Sequence, residues 1–108
     1  MSAPFVTTLR SRPATIRMAP EGAAAITIRV EMPEVWDVVA IAVLRSESVL
    51  IVKNFALGAL FPDAGLPQDF VVKFRGWEIL DEMESLAGAG VVDGSILLLT
   101  HRRRRAVR

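Results

Sequence analysis

The sequence contains no cysteine and a single histidine, and these two absences remove most metal and nucleophile chemistry at once. Without cysteine there are no disulfides, no thiolate metal sites and no cysteine nucleophile. The redox compartment is left open. A structural zinc site needs several imidazole or thiolate ligands, which His101 cannot supply by itself. A catalytic triad needs a base held between a nucleophile and an orienting acid, and no serine sits in a G-x-S-x-G setting. Long hydrophobic runs are also missing. The most apolar stretch, "VLIVKNFALGALF" from Val49, is too short to span a bilayer and carries Lys53. The N-terminal twenty residues show no apolar signal-peptide core; they are almost free of acids and read as a plain extension rather than an organelle-targeting peptide. Gly88 and Gly90 in "LAGAGV" lack the lysine and hydroxyl of a phosphate loop. No catalytic residue, cofactor or metal is expected, and the chain is not read as an enzyme.

What remains is a chain of 108 residues, 52% apolar, long enough to bury one modest core. Its net charge of +1 hides a partition. Acids outnumber bases from Ala24 to His101, while arginines gather at the two ends. Three of them, Arg10, Arg12 and Arg17, lie near the start, and "HRRRRAVR" carries five more. An acidic body with basic extensions argues against a basic nucleic-acid-binding fold but permits a binding tail. The expected organisation is a flexible N-terminal extension over 1–23, a folded domain over 24–101 and a basic tail over 102–108. Within the extension, "TTLRSRPATIRM" is the one stretch that could add an extended segment.

Periodicity orders the body. In "AAITIRVEM", Ile26, Ile28 and Val30 alternate with Thr27, Arg29 and Glu31, as in a half-buried strand. Pro33 and Glu34 bend the chain, and "WDVVAIAVLR" returns as a hairpin partner. Ser46 or Ser48 can cap a following helix. Val49, Val52, Ala56 and Leu60 recur at helical spacing, with Leu50, Lys53 and Leu57 as a neighbouring row. The β-branched "VLIV" would also suit a strand; length and the serine start favour helix. "QDFVVKFRG" and the shorter "WEIL" read as strands. "DEMESLAGAG" has Leu86 as its one good anchor and could form a helical turn. An Asp93-Gly94 turn precedes "ILLL", a strand apolar on both faces and so expected at the centre of the sheet.

This β-β-α-β-β-β order resembles the ubiquitin-like β-grasp family, and local motifs carry the resemblance. "GLPQD" stands where the family turns into its third strand, "VVKFRGWEIL" where that strand closes on a glycine, "SLAGAGV" where a leucine anchors a loop, and "SILLL" where the last strand begins. The resemblance implies an α+β fold, a mixed sheet with one main helix across it. It also implies departures. The family's conjugated members close on a diglycine, and "RRRRAVR" has none, which points to a non-conjugating member. The isoleucine and valine at the centre of the family's binding face correspond to Lys73 and Thr100, and Leu98 takes a histidine's place.

The resulting expectation is a non-catalytic protein-interaction module that meets a partner protein through its sheet face. The candidate contact residues are Lys73, Arg75, Trp77, Leu98 and Thr100. Lys73 and Arg75, at alternate positions, should leave one sheet face together. Trp77 either anchors a partner or packs over the sheet edge, and Trp36 either stands exposed or forms a lid over one end of the core. The alternative function is nucleic-acid or anionic-surface binding through Arg102, Arg103, Arg104 and Arg105. A third reading uses the apolar segment from Val49 to pack against a neighbouring subunit. Asp81, Glu82 and Glu84 form the densest acidic cluster, a solvated loop or the mate of a basic partner or of the chain's own tail. A cytoplasmic or nuclear location fits these features.

Overall fold

A computed structural model describes residues 15–63 and 66–102. Among the described residues the strands and the α-helix follow in this order: strand β1 (Ile16–Arg17), β2 (Ile26–Met32), β3 (Asp37–Val43), helix α1 (Val49–Leu60), then β4 (Phe70–Phe74), β5 (Trp77–Glu78) and β6 (Ile96–His101). The strands form one mixed sheet in the order β1-β3-β2-β6-β4-β5. The hairpin of β2 and β3 is antiparallel, β6 runs parallel to β2 and antiparallel to β4, and β5 folds back on β4. The apolar β6 is therefore internal, as its two-sided hydrophobicity requires.

One face of the sheet is the core. Ile28, Val30 and Met32 from β2, Val39, Ile41 and Val43 from β3, Phe70 and Val72 from β4, and Leu97 and Leu99 from β6 are all buried. Helix α1 covers them with Val49, Val52, Ala56, Leu57 and Leu60. The segment from Val49 is thus a helix, not a strand. Its apolar row is used inside the domain, which removes the reading of that row as a subunit contact.

The helix start is fully accounted for. The first turn of any helix leaves orphan amides. Ser48 caps α1, its Oγ accepting from the Ile51 N–H at 3.2 Å. The Val49 and Leu50 amides donate to the carbonyls of Glu84 and Glu82 at 2.9 and 2.7 Å. Residues 81–90 form hydrogen-bonded turns rather than the expected helical turn, because their backbone is committed to that docking: the Leu86 and Ala87 amides donate to Glu47 and Arg45. Leu86, fully buried, pins the loop from below. Lys53 lies buried on α1, and its Nζ donates to both Glu82 oxygens at 3.0 Å. Glu82 is therefore an internal partner, not a solvated member of the acidic cluster.

The sheet also begins within the segment read as an extension. Ile16 and Arg17 pair in parallel with Ile41 and Ala42, and the Arg17 guanidinium donates to the carbonyls of Pro20 and Ala23. The Asp93-Gly94 turn docks on β2: Asp93 Oδ1 accepts from the Thr27 N–H at 2.7 Å, and the Gly94 N–H donates to the Thr27 carbonyl.

Candidate partner-binding face

Alternation puts the second set of side chains on the face away from α1. Lys73 stands directly opposite Leu98 across β4 and β6, and Val71 opposite Thr100. Glu31 is opposite Leu98 across β2 and β6, and Val38 opposite Glu31 in the hairpin. Among the described residues no helix covers this side, which leaves Val38 and Ile96 exposed and Leu98 half-buried. Three of the five expected contact residues, Lys73, Leu98 and Thr100, are brought together here.

Arg75 does not join them. Strand β4 stops at Phe74, and Arg75 occupies the tight turn to β5 with φ 57°, followed by Gly76 at φ 85°. Two successive left-handed residues are what a type I′ hairpin turn demands. The chain direction reverses there, so strand alternation no longer places Arg75 beside Lys73. Its guanidinium instead sits over the Phe74 ring, 5.4 Å from the centroid. Trp77 begins β5 and is 79% exposed; it is not packed over the sheet edge. Trp36 is 95% exposed, at φ 54° in the β2–β3 turn, and does not close the core as a lid.

The basic neighbour of Lys73 is Arg102. Its backbone N–H donates to the Asp69 carbonyl at 2.6 Å, its Nε to the Gln68 carbonyl at 3.2 Å, and its guanidinium lies 3.6 Å from Glu78 Oε2. Glu78 is itself the register partner of Lys73. Together with Val71, Thr100 and His101 these residues line a depression of about 380 Å³ in which charges of both signs alternate. Arg103, Arg104 and Arg105 lie outside the described residues, as does Gly65 of the "GLPQD" turn.

Glu34 adds an acid that sequence periodicity does not announce. Its carboxylate accepts from the Thr100 hydroxyl at 2.6 Å and from the His101 N–H at 2.8 Å. Burial pushes this carboxyl up, but the His101 amide, the Thr100 hydroxyl, its own backbone amide and the His101 charge together hold it below its ordinary value. The Thr100 hydroxyl is thereby tied to the β2–β3 turn. The two partners are more than sixty positions apart, so no local pattern could pair them. Glu78 was legible in principle, since a two-residue turn at Arg75-Gly76 fixes it opposite Lys73. No group of three or more histidine, aspartate or glutamate side chains among the described residues could hold a metal ion.

Solved structures resemble this arrangement of strands and helix. A ubiquitin from Caldiarchaeum subterraneum superposes with a TM-score of 0.63 at 17% identity, covering 77% of this chain and 100% of its own. A ubiquitin-like domain of an Arabidopsis thaliana protein gives 0.62 at 15% identity, with 84% and 92% covered. The UBL domain of Plasmodium falciparum Dsk2 gives 0.61 at 22% identity, with 72% and 99% covered. The fold is the ubiquitin-like β-grasp. No protein-family model and no curated protein matches the sequence. At these identities the likeness establishes the β-grasp architecture and leaves its use to the chemistry of the surface. No helix among the described residues is long and apolar enough to cross a membrane.

Proposed function

We propose that this domain is a non-catalytic, non-conjugating ubiquitin-like interaction module that meets a partner protein through the open face of its sheet. The observation that carries the reading is the asymmetry of the sheet. One face is sealed by α1, while the other sets Leu98 between Glu31 and Lys73, with Ile96 beside Arg29 and Val38 on the far side of Glu31. A rigid sheet holds those side chains in place, so little conformational entropy is lost on docking. Apolar and charged side chains alternate across the strands, so a partner has both apolar contacts and charges of either sign to match, a mixture found in protein interfaces.

The test compares the full chain with Leu98→Asp and Lys73→Glu variants in affinity capture followed by direct titration of the captured protein. Leu98→Asp should abolish the specific interaction while circular dichroism stays unchanged. Undiminished binding by both variants would move the interface elsewhere. The second reading, an anionic-surface or nucleic-acid contact through the arginines from Arg102 onward, is favoured by the confinement of all twelve acids to Glu21–Asp93. Its signature is a steep loss of affinity with salt and little base preference.

A further inference from the structure

A second surface lies on the helix side of the sheet, at the β5 edge. Trp77 is the register partner of Phe74 across the β4–β5 hairpin, so both rings leave the same side of the sheet. Phe74 packs against the core, while Trp77 is 79% exposed. Leu80 is 84% exposed, and Met83, on the adjoining turn, 71%. The loop that docks on α1 supplies the opposite wall with Gly88, Ala89 and Gly90. The two glycines send no side chain into the space between, and a groove of about 570 Å³ is left. Apolar exposure grouped in this way marks an interaction site, where a single exposed residue would not.

The charge around the groove selects the occupant. Asp81 and Glu84 line it, and among the described residues neither pairs with a basic side chain. A Cβ at Gly88 would come within 2.9 Å of the Glu84 side chain, so that side chain lies against the bare backbone of the groove wall. Glu78 is the third acid and is shared with Arg102. The one base on the lining, Arg75, has its guanidinium over the Phe74 ring. Three acids against one base repel phosphates, which argues against nucleic acid and anionic lipid as the occupant. An apolar floor between carboxylates instead suits a chain that carries large apolar residues together with lysine or arginine. Its apolar side chains cover Trp77 and Leu80, and its cations meet the two unpaired acids.

We propose that the groove bounded by Trp77, Leu80 and Glu84 docks a basic segment of a partner protein that also carries apolar side chains. Each exposed ion pair contributes little by itself, and salt screens it. Contact with the indole and Leu80 therefore supplies most of the affinity, and the carboxylates select the sign of charge. Docking here leaves the open face free, since Lys73 and Leu98 project from the other side of the sheet. The inference is independent of whether the open face binds a partner.

The test titrates the isotope-labelled full chain with three short capped peptides: alternating leucine and lysine, alternating leucine and glutamate, and alternating serine and lysine. The leucine–lysine peptide should shift the Trp77 indole N–H and the Leu80, Glu84 and Ala89 amides saturably. It should leave unmoved Leu98 on the open face and Ile51, which is exposed on α1. The leucine–glutamate peptide should shift nothing. The serine–lysine peptide should bind at least about tenfold more weakly, because it buries no apolar surface. Asp81→Asn with Glu84→Gln removes charge yet keeps the Asp81 oxygen that accepts from the Met83 N–H. This double variant should weaken the leucine–lysine peptide about tenfold at low salt, and Trp77→Ala should weaken it as well. Absence of saturable shifts, an equal response to the leucine–lysine and leucine–glutamate peptides, undiminished binding by the variants, or shifts centred on Leu98 would each overturn the proposal. Shifts of the groove residues on raising the protein concentration alone assign the groove to a second copy and overturn it too.

Discussion

Leu98 and Leu99 are adjacent in the chain and identical in chemistry, yet the sheet gives them different energetics. Leu99 is fully buried under α1 and Leu98 lies half-exposed on the open face. Leu99→Ala should cost about 2–5 kcal/mol, from lost transfer energy and the cavity left behind. Leu98→Ala should cost distinctly less in the same urea melts. Glu34 makes a prediction in pH. Its carboxyl is held below its ordinary value in the fold, so the ionised form is favoured by folding. Its contribution is therefore complete above the ordinary carboxylate range and disappears as pH falls through the depressed folded value. Glu34→Gln should flatten the acid limb of the stability–pH curve. The gap between the two proteins should close as pH falls, with Thr100 and the β2–β3 turn loosening together in amide exchange.

At the scale of elements, α1 and the 81–87 loop stabilise each other. Ser48→Ala removes the side-chain acceptor for the Ile51 amide and should cost about 1 kcal/mol by thermal melting. The Lys53–Glu82 pair joins the same two elements from the core side. Glu82→Gln leaves a buried ammonium without its counter-charge, and losses on breaking such a pair run to about 3–5 kcal/mol. Lys53→Met with Glu82→Leu should recover most of that loss, since neither charge is then stranded. If the single and double variants melt alike, the pair contributes no more than its apolar stems. The β4–β5 turn belongs to this scale too. Arg75-Gly76 reverses the chain in two residues, and that reversal sends Arg75 to the Phe74 ring while bringing Glu78 to Lys73.

For the molecule as a whole, the sheet separates two surfaces of different character. The open face mixes apolar side chains with both signs of charge, and the β5 edge is apolar with an acidic rim. Lys73 stands beside Leu98 on the open face, and burying an unpaired charge against a partner is costly. A ubiquitin-binding helix titrated into the labelled domain should therefore leave the Lys73, Leu98 and Thr100 amides unmoved at micromolar concentrations. Saturable shifts centred on Lys73 would contradict this. The charge partition is also a property of the whole chain: the described body is acidic, so any affinity of the arginine tail for polyanions has to overcome the field of its own domain.

Alternation and spacing in the chain already determine much of this. Ile28 and Val30 against Thr27 and Arg29, the serine-capped row Val49-Val52-Ala56-Leu60, and the two-sided apolar "ILLL" identify two strand faces, a helix and a central strand. These are short-range consequences of side-chain periodicity, which is why one sequence suffices to read them. Arg75 shows the limit: alternation predicts its face correctly only while the strand lasts, and a left-handed turn ends the strand one residue earlier. Trp36 and Trp77 carry no local mark of exposure, because tryptophan is on average well buried and its type alone points the other way. The partnerships Glu34–Thr100, Lys53–Glu82 and Arg102–Glu78 join residues distant in sequence. Hydrogen bonds and ion pairs are satisfied by whichever group the folded chain brings within about 3 Å, and only the tertiary structure decides which group that is.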